Sequence, residues 1–142
     1  IIDIGLTPNP LMPTILRDTN AALFMNRCEG GSNLVAMECM ACGVPTILSA
    51  NTGHLDLLRD GAAFPLRRQG KVRAPTGFVG VDGWGESDIE EADAALEAIY
   101  TDRARAAEIG KRGAELLSGM SWARQTALLK DAIKPFIDRA RG

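Results

Sequence analysis

Apolar positions in the first half of the chain come in short runs separated by polar, glycine-marked or proline-marked breaks. Residues 1–4, 21–26 and 45–49 are such runs, and their length, with β-branched residues in the first, predicts strands. Pro8, Pro10 and Pro13 make a loop after the first run, with a short helix over 13–18. A turn over 29–32 and a helix over 33–42 follow the second run. Gly43 stands where a helix C-terminal glycine belongs, and Pro45 opens the third run, where a strand tolerates proline. Asn51, Thr52 and Gly53 form a loop into a short helix over 55–59, and 61–65 reads as a turn and a last short strand. Residues 67–85, rich in glycine and basic side chains without a period, read as an exposed irregular arm. Beyond 87 the pattern is helical, over 88–99, 101–118 and 122–140, with Pro135 placed to bend the last helix near Lys134.

Strands alternating with helices predict an α/β fold, a Rossmann-like parallel sheet with flanking helices and a helical C-terminal end. The 142 residues suit one domain, 1–142. About four strands are visible, few for a complete doubly wound sheet, so the expectation is a fragment whose earlier part lies upstream. Composition is that of a folded globular chain, with 46% hydrophobic and 24% charged residues. A formal charge of −2 gives no electrostatic reason to expect nucleic acid. No apolar run is long enough to span a membrane, and the N-terminus lacks a signal-peptide pattern. Cys28, Cys39 and Cys42 are an odd count that suggests a reducing, cytoplasmic setting. Cys39 and Cys42 read as small residues packed against a sheet, with a zinc half-site or a redox pair as the alternatives.

The turn between the second strand and its helix carries the chemistry. In open α/β sheets, ligands bind where loops leave the carboxyl ends of strands. Glycines let a backbone approach a ligand closely, and the free N–H groups of a helix start favour an anion. Gly30, Gly31, Ser32, Asn33 and Leu34 therefore form a candidate phosphate cradle, in which Ser32 or Asn33 is also suited simply to cap the helix. Glu38, among Val35, Met37, Met40 and Ala41, leans back over the turn carrying Leu34. A carboxylate there could accept two hydrogen bonds from a sugar diol, lie on an exposed helix edge, or pair with Arg27.

The segment "CEGGSNLVAMECMACGVPTILS", followed by "NTGHLDLL", resembles the nucleotide-sugar-binding part of GT-B retaining glycosyltransferases of the family-4 type. That family has a Glu before a glycine-rich turn, a second Glu on the next helix, a small-residue helix end, a Gly-x-Pro and an apolar strand. A Trp before the final helices, here Trp122 in "MSWARQT", extends the resemblance over about 12–137. It implies that Glu29 contacts the donor sugar near the reacting centre, that backbone N–H groups from Gly30 to Leu34 hold the diphosphate, and that Glu38 grips the ribose. Gly53 and His54 would lie near the donor, with a capping role open for His54. One departure is that eight residues separate Glu29 from Glu38 where the family has seven.

The resemblance also implies a hexosyltransferase that needs no metal, and no Asp-x-Asp occurs in the chain. Its substrates would be a nucleotide-diphosphate sugar and a carbohydrate or lipid-linked acceptor, with no other cofactor. Such enzymes draw an Arg and a Lys from earlier in the same domain, and an acceptor site from an N-terminal domain. A helix N-terminus alone offers about 0.3–2 kcal/mol, against about 8 kcal/mol or more for enzymatic acceleration. The expectation is that this chain alone binds nucleotide weakly and transfers no sugar. Leu128, Leu129, Ala132, Ile133, Phe136 and Ile137 recur at helical spacing, as a core-facing stripe or a surface for self-association. An epimerase or phosphorylase of the same fold, or a non-catalytic nucleotide-binding module, remains the alternative reading.

Overall fold

A computed structural model describes residue 3, residues 5–74 and residues 80–141; the strand expected over 1–4 lies mostly outside them. Strands β1 (Ala22–Phe24), β2 (Thr46–Ser49) and β3 (Phe64–Leu66) form a parallel sheet in the order β1-β2-β3. Helix α1 (Met12–Arg17) precedes β1, and α2 (Leu34–Ala41) makes the crossover to β2. The last part of the chain is helical: α3 (Ile89–Thr101), α4 (Arg103–Ser118) and α5 (Trp122–Arg141). The fold is the expected α/β, Rossmann-like arrangement.

β2 is central, and every residue of it is buried, as the continuous apolar run of a covered parallel strand requires. Its neighbours in sequence face opposite ways. Leu48 packs with Ala36 and Met40 of α2, Leu57, and Leu116 and Leu117 of α4 on one face. Ile47 packs with Ala92 and Ile99 of α3, Ala106 and Leu66 on the other. Pro65 sits in the edge strand β3, where a missing N–H is tolerated.

Two glycines let α4 close onto α2. A Cβ on Gly110 would stand 2.2 Å from the Gly43 carbonyl oxygen, and one on Gly113 would stand 3.0 Å from that of Ala62. Gly43 adopts φ +79° just past the end of α2, the left-handed conformation its place after the helix called for.

Three expectations need correction. The arm over 67–85 is not wholly irregular: β4 (Gln69–Gly70) pairs antiparallel with β5 (Glu86–Ser87), fastened by an Arg68–Asp88 ion pair and a hydrogen bond from Gln69 Nε2 to Ser87 Oγ. The short helix expected over 55–59 is a 3₁₀ helix over Thr52–Asp56, starting earlier because Thr52 and Gly53 are tied to the turn at Glu29. And α5 joins no core cluster of the described residues. Every residue from 121 to 140 is exposed, so its apolar stripe, with Trp122 at 89% and Phe136 at 66% exposure, faces outward. The helix runs on through Pro135. Among the described residues no helix is long and apolar enough to cross a membrane.

Candidate functional site at the carboxyl edge of the sheet

Three loops leave the carboxyl ends of the parallel strands, and one buried side chain ties them together. Asn51, just past β2, donates through Nδ2 to the Asn26 carbonyl beyond β1 at 3.0 Å. The same amide donates to Gln69 Oε1 beyond β3 at 2.9 Å and to the Gly85 carbonyl at 3.3 Å. Its Oδ1 accepts from Thr52 Oγ1 at 2.9 Å. Ser49 adds a bond from Oγ to the Phe24 carbonyl at 3.1 Å. A buried amide satisfied at both ends fixes its surroundings, since leaving either end unpaired would cost about 1–3 kcal/mol.

Above this brace lies the turn. Thr52 Oγ1 accepts from the Glu29 backbone N–H at 2.7 Å, and the Gly53 N–H donates to the Glu29 carbonyl at 3.1 Å. Gly53 admits no side chain: a Cβ there would stand 1.5 Å from the Gly31 carbonyl oxygen and 2.9 Å from that of Glu29. Glu29 itself is half-buried, and its Oε2 accepts from Asn26 Nδ2 at 3.4 Å.

Gly30 and Gly31 differ from Gly53. A Cβ on either would meet nothing within 4 Å, and neither has a positive φ. Among the described residues no neighbour requires glycine there, so the open space is available to a ligand. Ser32 is half-buried beside them.

The helix start is built around Asn33, the cap. With φ 58° and ψ 87°, a left-handed conformation that Asn tolerates, it accepts at Oδ1 from the Ala36 N–H at 3.1 Å. The N–H groups of Leu34 and Val35 have no partner among the described residues, and both side chains are exposed. Two orphan donors thus point off the first turn of α2, beside the two open glycines.

His54 lies beneath that cap, fully buried. Its Nδ1 is 3.2 Å from the Ser49 carbonyl and its Nε2 3.0 Å from Asn33 Nδ2. A carbonyl can only accept and an amide nitrogen only donates, so Nδ1 carries the proton and Nε2 is the acceptor. Burial pushes the His54 pKa below its ordinary value, against the opposing pull of the Ser49 carbonyl and the nearby Glu29 carboxylate. The neutral ring spaces the end of β2 from the start of α2.

Glu38 is exposed on α2, and no ion pair or hydrogen bond engages its carboxylate among the described residues. The Arg27 alternative is replaced by another partner, since Arg27 pairs with Glu86. Burial, with Cys42 and Glu38 nearby, raises the pKa of Cys39, and all three cysteines are free thiols. Among the described residues no three His, Cys, Asp or Glu side chains gather as metal ligands would.

A groove of about 1000 Å³ opens from Gly31 and Ser32 along α2 to the α4–α5 junction. Leu34, Met37, Leu57, Trp122 and Leu128 give it apolar walls, and Arg59 and Arg124 stand on its rim. Its size is that of a small-molecule site. Glu29 and Glu38 do not line it. The structure thus gathers Glu29, Gly30, Gly31, Ser32, Asn33, Leu34, Gly53 and His54 around one turn, with Glu38 a helical turn beyond Leu34.

Asn51 and Thr52 escaped the sequence reading as site residues. Their signal was two small polar residues just after an apolar strand, but nothing local says that their partners lie 18 to 34 residues away.

The family model described as Family 4 Glycosyltransferase in conflict systems matches residues 12–129, which takes in the turn, the strand-end brace and the first part of α5. No curated protein and no solved structure gives a significant match. With most of its length matched, including every residue of the turn, the chain belongs to the family 4 glycosyltransferases of conflict systems, and it is a glycosyltransferase domain.

Proposed function

We propose that this domain binds the nucleotide-diphosphate sugar donor of its transferase at the turn over 29–33. The observation that carries the reading is the pairing of unpartnered Leu34 and Val35 amides with two glycines whose missing side chains leave open space. Amides at a helix start, aided by the helix dipole, suit a diphosphate. Beside it, Glu29 contacts the donor sugar and the uncommitted Glu38 carboxylate accepts hydrogen bonds from the ribose diol. Gly53 acts by its absence of bulk, letting the turn seat, and His54 by holding Asn33.

In this reading the sugar, a hexose, passes to a carbohydrate or lipid-linked acceptor with retention. Backbone dipole and cationic side chains take the charge of the leaving diphosphate without a metal or other cofactor. The architecture is GT-B, with this chain as its donor-binding, C-terminal part, working in the cytoplasm beside an acceptor-binding N-terminal domain. The exposed stripe of α5 is then the surface that meets other protein, whether that domain or a second copy of this chain.

The test is a calorimetric titration with UDP, GDP and ADP, beside a Glu38→Ala variant. Binding of one diphosphate, weakened roughly tenfold or about 1.4 kcal/mol in the variant, is the expected result. Equal binding by both proteins would remove the ribose role. Absence of binding by all three would remove the donor-site reading for this chain.

A further inference from the structure

Among the described residues, three that are not glycine have positive φ: Asn33, Asp60 and Thr52. Asn and Asp tolerate the left-handed region, but a β-branched Thr at φ 39° is an outlier held in place by its surroundings. What surrounds Thr52 is the brace under Glu29. From this we infer that Thr52, oriented by Asn51, is a positioning residue that sets the placement of Glu29 toward the donor sugar.

The hydrogen bonds have a direction. Gln69 donates through Nε2 to the Leu66 carbonyl and to Ser87 Oγ, which turns its Oε1 toward Asn51. Asn51 therefore presents Nδ2 to Gln69 and Oδ1 to Thr52. The Thr52 hydroxyl proton is committed to that Oδ1, at 2.9 Å, so its oxygen is left to accept from the Glu29 N–H at 2.7 Å. The bend at Thr52 also brings the Gly53 N–H to the Glu29 carbonyl, so both backbone groups of Glu29 are held from below. On the other side Gly30 and Gly31 offer no packing that could do the same work. The placement of Glu29 then depends on the Thr52 hydroxyl and the Gly53 amide that follows it, not on the bulk of the turn.

This inference rests on the reading of Glu29 as the donor-sugar contact, and the test separates the two. Thr52→Val keeps the shape and removes the acceptor, and Thr52→Ser restores it. The first readout is amide hydrogen exchange at Glu29, followed by NMR. The second is the ratio of affinities for a nucleotide sugar and its parent diphosphate, over UDP-glucose with UDP, GDP-mannose with GDP and ADP-glucose with ADP.

In Thr52→Val, Glu29 exchange should rise roughly tenfold and the added affinity from the sugar should be lost. Affinity for the diphosphate should stay within about twofold, and Thr52→Ser should behave as the wild type in both readouts. Unchanged exchange, or equal loss of sugar and diphosphate affinity, would overturn the inference, because the latter is what a merely loosened turn would give. If the wild-type protein binds none of these donors, the functional reading falls. The exchange rate then decides alone whether Thr52 holds Glu29.

Discussion

The two sides of the turn over 29–33 use glycine for opposite reasons. On the underside, Gly53 is forced: its backbone lies so close to Gly31 and Glu29 that a single methyl would overlap a carbonyl. On the outer side, Gly30 and Gly31 are unforced, since neither a neighbour nor a positive φ asks for them. Packing explains the first kind of glycine. The second kind is left for a ligand to explain, and that difference separates scaffold from site within a few residues.

The largest effect that would break this contrast is at Gly53. Gly53→Ala should cost about 3 kcal/mol, the upper end of ordinary overpacking, because the atoms in the way are backbone and cannot swing aside. Urea unfolding of the variant measures it, and a loss under about 1 kcal/mol would mean the underside is less tightly fitted than described. Gly31→Ala is the complementary case. Its stability should be unchanged or higher by up to about 1 kcal/mol, through a less flexible unfolded chain. Its affinity for the bound nucleotide diphosphate should nevertheless fall roughly tenfold in the same titration as above.

A smaller effect concerns the cap. The pKa of His54 is lowered in the fold, so below the unfolded value of 6.5 the unfolded chain takes up the proton more readily. Stability is therefore full above about pH 6.5 and declines as pH falls through that value toward the depressed folded pKa. Protonation would also set Nε2–H against the Asn33 amide, donor against donor. In His54→Gln, stability measured from pH 7.5 to 5 should lose this component of its slope; a slope equal to the wild type's would show that His54 does not carry it.

The smallest effect is at the far end of the molecule. Ile133→Ser on α5 should change stability by less than about 0.5 kcal/mol, since Ile133 is exposed and belongs to no core cluster of the described residues. Ile47→Ala in β2 should cost about 2–5 kcal/mol. Analytical ultracentrifugation adds the complementary reading of Ile133→Ser, less self-association than the wild type at high concentration.

What was legible in the sequence was local. Period and punctuation placed α2, its Gly43 stop, β2 and the three last helices within a few residues of where they lie. The glycine turn and its carboxylates were legible because the chemistry sits in consecutive residues. The brace was not, because Asn51 joins loops that follow three different strands, and only the sheet brings those loops together. The same holds for β4 and β5, two-residue strands closed by side chains at either end of a long arm. For α5, helical spacing announced an apolar face and could not say what, if anything, covers it.

The most direct test of the donor cradle is to follow backbone amide shifts on adding UDP, GDP and ADP, each beside its nucleoside. The amides of Gly30 to Val35 should move with one diphosphate and stay still with its nucleoside, since they serve the phosphates. Movement confined to the groove residues Leu57, Met120 and Trp122, or no movement with any of the three, would contradict a phosphate cradle at this turn.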